Sequence, residues 1–505
     1  MTALAQAALA LPPFPGATPH PIVRLAKAGQ TEQTSPQELI AVIRKHRVGG
    51  RFWSEEDLWT APDTAISGEA VDPRLLIAAL ARKPVSALGT GPFQPLDGVT
   101  PGSPEHEAVL EQLVHDHLIE GIAYLDPFTG APSSALAIVD ILGGWRRIID
   151  ANRPIAAAFG FAHWKRDTVD PLLWGGHPVP FRPATMAELD ELPSQAIVAV
   201  WKARTPAAFL ERLEAGPWQI IEVEDGFIRS AGLGADCVPP LSIIVDDLGV
   251  HYDPTRPNRL EEMLQERDFT PDELSRAARL RSWLVQEGVS KYGISGAQTV
   301  ARAGSDKRHL LVVGQVEDDR SVQFGSADVR SNLELLRRVR AQAPDAWIVY
   351  RPHPDVEAGH RRGAIPQRAV LDLADAIDPG SPISALIAMA DEVHVMTSLA
   401  GFEALLHGKA VTAHGLPFFA GWGLTNDLAP PSPRRSRARS VDELVAAVLL
   451  AYPRYLDPVT NLPCTAEILV MRLIAGVHRQ NDALVPLRRL VGWARRASAQ
   501  ILGLR

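Results

Sequence analysis

Leu310-Leu-Val-Val-Gly314-Gln315-Val316-Glu317-Asp318-Asp319 is a short apolar run that stops at a glycine and is followed at once by a carboxamide and three carboxylates. Leu310 to Val313 has the length and β-branched content of a buried strand. In open α/β sheets, ligands bind just outside the carboxyl ends of strands. The acids after Gly314 therefore stand where chemistry is expected, and Asp319 is the first choice for the residue that performs it.

The same pattern recurs on both sides of this stretch. Ala196 to Trp201, Gln219 to Val223, Leu241 to Val245, Trp347 to Tyr350 and Val393 to Met396 read as strands. Leu260 to Gln265, Asp272 to Glu287, Asn332 to Ala341 and Ile383 to Met389 read as helices. Such alternation predicts an α/β fold of parallel sheets with helices on both faces. A boundary near 290–308 divides it into two Rossmann-like halves, 149–305 and 306–440. A helical C-terminal tail (441–505) follows, and a different N-terminal region (1–148) precedes.

With 505 residues the chain is too long for one core, and 46% hydrophobic with 22% charged residues is a soluble globular composition. No apolar run reaches the length of a membrane span. Met1 to Pro12 lacks the basic start of a secretory signal. Cys237 and Cys464 give neither a disulfide framework nor a metal set, which fits a reducing cytoplasm. A net charge of -8 argues against bulk nucleic-acid binding. Leu484 to Arg505 holds five arginines, no acid and several large apolar residues. It suits equally a helix lying on an anionic membrane surface and a solvated helix packed on its own domain. Arg434-Arg-Ser-Arg-Ala-Arg439, after a Pro-rich stretch, reads as a surface loop.

One internal repeat is visible. Tyr124-Leu-Asp-Pro-Phe-Thr-Gly-Ala-Pro132 matches Tyr455-Leu-Asp-Pro-Val-Thr-Asn-Leu-Pro463. Leu113, Val114 and Leu118 stand where Leu444, Val445 and Leu449 stand. Lys83 to Gly89 resembles Lys409 to Gly415, and Pro92-Phe93 matches Pro417-Phe418 after a one-residue slip. Three matches in the same order predict that residues 70–145 are a partial, degenerate copy of the tail of a module spanning about 150–475. Before residue 70 nothing corresponds to the acidic motif or to the His-Pro pair at 353–354.

Four further motifs suit ligand chemistry. Glu224-Asp225-Gly226, followed by Arg229, reads as a loop after a strand, with glycine for unusual backbone angles and groups fit for a general base or an anion contact. An acid there can equally be a plain helix cap. Asp246-Asp247 reads as an acidic turn between two short strands. Adjacent side chains point to opposite faces, so at most one meets a cleft. The alternate Asp-x-Asp spacing of a metal-dependent sugar-transfer site is absent, and no metal is expected. Arg351-Pro-His353-Pro354 is a rigid strand-end loop suited to a phosphate or carboxylate. Thr397-Ser398 precedes a short helix carrying Glu403. Ser398 is a fair cap, the helix start favours an anion, and Glu403 is in reach of a ribose. No P-loop, zinc-hydrolase or dinucleotide fingerprint is present.

Together these segments resemble the capsular polysaccharide β-Kdo transferases of Gram-negative bacteria, the KpsC type. The match extends over about 150–475. It rests on Val223-Glu-Asp-Gly-Phe-Ile-Arg-Ser230, Leu233-Gly-Ala-Asp236, Pro239-Pro-Leu-Ser242, Val245-Asp-Asp-Leu-Gly249 and Tyr252-Asp-Pro-Thr-Arg256 continuing to Glu261. Gln315-Val-Glu-Asp-Asp319, Pro352-His-Pro-Asp355, Met396 to Glu403 and Gly415 to Thr425 complete it.

The resemblance implies a GT-B-like pair of halves with a cleft between them and no cofactor. CMP-β-Kdo is the implied donor and a phosphatidylglycerol-linked Kdo chain the implied acceptor, in building the poly-Kdo linker for capsule synthesis and export. Transfer with retention is implied, with the aspartate of Gln-x-x-x-Asp, here Asp319, as nucleophile. Gln315 would support it, and His353, Thr397, Ser398 and Glu403 would hold CMP. Arg351 would favour ionised Asp319, Arg229 or Arg256 would hold the Kdo carboxylate, and Glu224, Asp225 or Asp246 would be the general base. The expected location is the cytoplasm, from the cysteine usage, with peripheral contact at the inner face of the inner membrane through the arginine-rich tail and with other capsule-assembly enzymes as partners. Two departures stand out. Arg351 replaces the common lysine, and family members typically carry two full modules. One linkage type, with a partner enzyme for the other, is therefore expected. A non-catalytic glycolipid-binding protein of capsule export, or a transferase for another nucleotide sugar, are the competing readings.

Overall fold

The computed structural model describes residues 2–27, 33–230, 238–291, 293–294, 298–303, 306–359 and 361–477. Leu233 to Asp236, Cys237 and the arginine-rich segment from Leu484 to Arg505 lie outside the described residues. The chain divides into two compact units. The smaller holds 1–156, 170–180 and 459–463; the larger holds 157–169, 181–458 and 464–505.

The larger unit contains both expected sheets. In the second, strands run in the order Ala376–Ile377, Trp347–Arg351, His309–Val313, Glu392–Val395, Ala410–Ala413, Asn426–Asp427, all parallel. His309 to Val313 is buried throughout, as its near-continuous apolar run requires between two helical layers. Leu310 and Val312 pack with Leu335, Leu336, Val339 and Ile348. Each such side chain contributes about 1.5–3 kcal/mol by burial. The helix Asn332–Gln342 starts at Ser331, whose hydroxyl accepts from Glu334 N–H, and Ile383–Met389 matches its predicted span.

The first sheet is mixed. Its strands include Pro453–Leu456, Ser242–Asp246, Gln219–Asp225, Ile197–Val200, Ile155–Phe159 and Phe181–Arg182, in that order. Ile197–Val200 and Gln219–Asp225 are parallel, but Ser242–Asp246 runs antiparallel to its neighbours. No crossover helix is described between Asp225 and Ser242, and an antiparallel return needs none. The long helix Pro271–Glu287 carries a complete capping box at Thr270 and Glu273, and ends on Gly288 at φ 61°.

The basic run 434–439 is not a solvated surface loop. Arg434 and Arg435 both pair with buried Glu261, at 2.6 and 2.8 Å. Arg435 also donates to Pro417 O and Ala420 O. Arg439 reaches Leu264 O and Arg267 O at the end of the helix Arg259–Glu266. Carbonyls left open at a helix end accept these guanidinium donors, so the arginines clamp the first half to the second.

The smaller unit repeats a succession of elements found in the larger. Strand Ile66–Glu69, helix Pro73–Leu80 and strand Val85–Leu88 follow the order Glu392–Val395, Leu399–Leu406, Ala410–Ala413, with the strands parallel in both. Helix Pro104–Val114 passes into a π-turn and then into strand Ile122–Leu125, as Val441–Val445 passes through a π-turn into Pro453–Leu456. Tyr124 donates to Leu118 O at 2.6 Å and Tyr455 to Leu449 O at 2.8 Å. The likeness begins earlier than residue 70. Val23 opposes Tyr124 as Ser242 opposes Tyr455, and Pro36–His46 follows a Ser-Pro start as Pro271–Glu287 follows Thr-Pro. Among the described residues of the smaller unit, nothing corresponds to His309–Val313 or Trp347–Arg351.

Candidate active site

Strand ends from both halves of the larger unit surround one cavity of about 880 Å³, a size suited to a small-molecule substrate. At Gly314 a Cβ would stand 2.5 Å from the Tyr350 hydroxyl, so the close approach of two strand ends demands glycine. Gln315, next in the chain, is buried. Its Oε1 accepts from Thr397 N–H at 2.7 Å and its Nε2 donates to Thr397 Oγ1 at 3.0 Å. Gln315 thus staples the end of His309–Val313 to that of Glu392–Val395, and both side chains serve the wall they line. Glu317 accepts from Asn332 N–H and shapes the loop.

Asp319 lies on the cavity and caps the helix Arg320–Gly325. Its Oδ2 accepts from Ser321 N–H and from the Ser321 hydroxyl at 2.6 Å. Its Oδ1 is 3.9 Å from the guanidinium of Arg361, which also lies 3.4 Å from Asp318. The cation beside Asp319 is therefore Arg361. Arg351, expected in that role, lines the cavity but donates to Asp378 O.

His353 caps Pro354–Glu357, its Nδ1 accepting from Asp355 N–H at 3.1 Å. That bond places the remaining ring proton on Nε2. Burial lowers the ring's pKa against the pull of Asp355 and Asp319, so His353 is a neutral donor and not a cation. Ser398 caps Leu399–Leu406 through Ala400 N–H. Glu403, one turn inside, accepts from the backbone N–H of Lys291 at 3.0 Å, and burial pushes its carboxyl up to about 7.

On the other half, Gln219–Asp225 is longer than predicted and carries Glu224 and Asp225 on its last two positions, both on the cavity. Gly226 has no positive φ; a Cβ there would meet Ser242 Oγ at 2.2 Å, which explains the glycine by contact instead of backbone angle. Asp225 accepts from Arg229 at 2.8 Å and Lys165 at 3.2 Å. Burial alone would raise its pKa, but Arg229, Lys165 and Lys291 outweigh it and hold the carboxyl far below the usual range. Burial and then the charge of Asp225 push neighbouring Glu224 up to about 7. Two adjacent acids driven apart in this way suit a division into fixed charge and proton carrier.

Three expected residues have other duties. Asp246 is buried away from the cavity, accepting from Leu248, Gly249 and Arg259 N–H and from the Tyr452 hydroxyl. It closes an acidic turn with no second strand behind it, and no oxygen is left for a proton-transfer role. Arg256 does not line the cavity; it pairs with Glu222 at 2.5 Å and lies 3.5 Å from Asp253. Arg229 reaches the cavity, but its guanidinium is engaged by Asp225, Ser230 and Val238 O.

Sequence reasoning passed over Arg361 and Lys165. Arg361 sits in a loop with no distinguishing pattern. Lys165 had one cue: a cation at the third position of the helix His163–Leu173 opposes the helix dipole.

The protein-family model described as capsule polysaccharide biosynthesis protein matches residues 198–292 and 273–455. The chain belongs to this family. Capsule polysaccharide modification protein LipA of Neisseria meningitidis serogroup B is 38% identical over 366 residues, covering 71% of this chain and 51% of LipA. Lipopolysaccharide-processing protein LpsZ of Rhizobium meliloti is 38% identical over 63% of this chain and 73% of its own. The chain thus spans about half the length of the LipA proteins it matches. Two solved structures, the β-Kdo 2,7 and β-Kdo 2,4 transferases of Thermosulfurimonas dismutans KpsC, are 35% and 31% identical. Their TM-scores are 0.52 and 0.54, over 64% and 63% of this chain and 99% and 98% of their own. In this capsule family member, no described helix is long and apolar enough to cross a membrane.

Proposed function

We propose that the chain is a glycosyltransferase with a GT-B-like pair of halves, moving Kdo from CMP-Kdo to a lipid-linked Kdo acceptor in capsule assembly, with retention. The observation that carries this reading is the meeting of Asp319, His353 and Glu224 on one cavity, with carboxylates contributed by both halves. In the first step an Asp319 oxygen forms a bond to the anomeric carbon while the bond to the CMP phosphate oxygen breaks and CMP leaves with the electron pair. Arg361 lowers the cost of keeping Asp319 ionised, and His353 Nε2–H with Arg351 donates to the leaving phosphate. In the second step Glu224 takes the proton of an acceptor hydroxyl, whose oxygen displaces Asp319. Two inversions give net retention. Asp225 stays ionised beside Glu224 and keeps it basic enough for that proton. The reading places the reaction at the inner face of the inner membrane, beside other capsule-assembly enzymes, with one linkage type made by the one complete module.

The test is release of CMP from CMP-Kdo in the presence of a synthetic Kdo-lipid acceptor. Wild type is expected to turn over and to give a Kdo adduct by intact-protein mass spectrometry. Asp319→Ala is expected to lose both while CMP still raises its melting temperature. No turnover by folded wild type, or full activity in Asp319→Ala, overturns the reading. Stabilisation by UDP alone points to a different donor.

A further inference from the structure

Two buried cations on the first half share one carboxylate. Lys165 is 5% exposed and Arg229 1% exposed, and both bind Asp225, whose neighbour Glu224 is half-protonated near neutral pH. Asp225 alone does not balance them, and a buried charge without a full partner is costly. The two cations differ in spare capacity. Arg229 donates to Asp225, Ser230 and Val238 O. The Lys165 ammonium has three N–H groups, and among the described residues it donates only to Asp225.

The aromatic setting of Lys165 is specific. Its Nζ stands 3.3 Å from the ring centre of Trp201 and 5.3 Å from that of Trp164, and all three residues line the cavity. Trp201 is 2% exposed and its face is taken by the ammonium, whereas half-buried Trp164 leaves indole surface to pack against the C–H face of a pyranose ring by dispersion and apolar burial. An ammonium with free donors beside them takes a carboxylate by charge-assisted hydrogen bonds. The groups fit for the nucleotide phosphate, Arg351, His353 and Ser398, come from the second sheet, whereas Lys165 and both tryptophans come from the first half.

We propose that Lys165, flanked by Trp164 and Trp201, is the specificity-determining residue for the acceptor, holding the carboxylate of an anionic sugar acid at the acceptor's end. The site explains why the ammonium is buried with open donors: the substrate completes its coordination. This inference rests on the transferase reading for its kinetic test, but its binding test is independent of turnover.

The probes are an alkyl glycoside of Kdo, whose blocked anomeric centre prevents it from acting as donor, and the methyl ester of the same glycoside. In transfer assays, wild type is expected to show a KM for the free acid lower than for the ester by on the order of ten- to a hundredfold, the range of a charged hydrogen bond. Lys165→Met should abolish that preference and leave the KM for CMP-Kdo within about twofold. Lys165→Arg, which keeps the charge, should restore part of it. Calorimetric binding of the two glycosides without donor should show the same pattern. Wild-type preference for the acid that survives in folded Lys165→Met overturns the proposal, as does a rise confined to the donor KM. Absence of turnover in wild type, with acid binding that depends on Lys165, overturns the transferase reading and leaves the subsite standing. If Lys165→Met does not fold, Lys165→Gln, which removes the charge but keeps a donor for Asp225, carries the same comparison: a wild-type acid-to-ester ratio in it overturns the proposal.

Discussion

Replacing Glu403 by glutamine removes an ionisation while keeping an Oε1 acceptor for the Lys291 N–H. Burial moves this carboxyl from its ordinary 4.5 up to about 7. Below pH 4.5 the folded and unfolded chains both hold the proton, and the group gives its full stabilisation. Between 4.5 and 7 the unfolded chain ionises first, so stability falls as pH rises, by about 1.4 kcal/mol per pH unit. Above 7 both states are ionised and the fall is complete. Over this interval of roughly 2.5 pH units the upper limit is about 3.4 kcal/mol. The carboxyl lines an open cavity, and screening by solvent there brings the expected effect to about 2 kcal/mol. Urea unfolding of wild type and Glu403→Gln from pH 4.5 to 8 reads it directly. The stability difference between them should grow in favour of the glutamine variant by about 2 kcal/mol across that range. Parallel curves would show that burial of Glu403 does not set its proton affinity.

Two other outcomes follow from the charges described. With Glu224 as the base that accepts the hydroxyl proton, kcat/KM should rise with pH to a plateau through about 7; in Glu224→Gln the rise should vanish and the rate fall by about 10²–10⁴. Arg435→Met leaves buried Glu261 with only Arg434 and strips a donor from Pro417 O and Ala420 O. A loss of about 3 kcal/mol in denaturant titration is expected, with part of it recovered in Arg435→Met/Glu261→Gln.

Local signals carried much of the architecture. Ile383–Met389, the capped start at Thr270 and the buried strand after His309 are each specified by residues within a few positions of one another. What stayed hidden depends on partners distant in the chain. The arginines of 434–439 looked solvent-bound because Glu261, Leu264 O and Arg267 O, which bury them, lie some 170 residues away. Lys165 is given its setting by Asp225 and Trp201, and neither neighbours it in sequence. Asp246 and Asp225 are equally plausible acids on paper. Only the fold separates one saturated by backbone N–H groups from one held by two cations on a cavity. The fault at Gly226 was of mechanism: glycine is required there because Ser242 leaves no room, a contact across two strands.

The smaller unit carries a succession of elements like that of the larger one, short of two described strands. Its helices Pro36–His46, Pro73–Leu80, Pro104–Val114 and Ala135–Asn152 bury Leu39, Leu76, Leu110 and Leu142, although no described strand there takes the place of those that bring Asp319 and His353 to the cavity. A frame that closes without those strands does not depend on them to fold. That independence belongs to the smaller unit; in the larger one Leu310 and Val312 of the strand His309–Val313 are part of the core. In the larger unit the strand ends at 315–319 and 351–353 carry both duties at once. Gln315, Asp319 and His353 line the cavity and also tie strands or cap helices, so a substitution there is felt in stability as well as in the site.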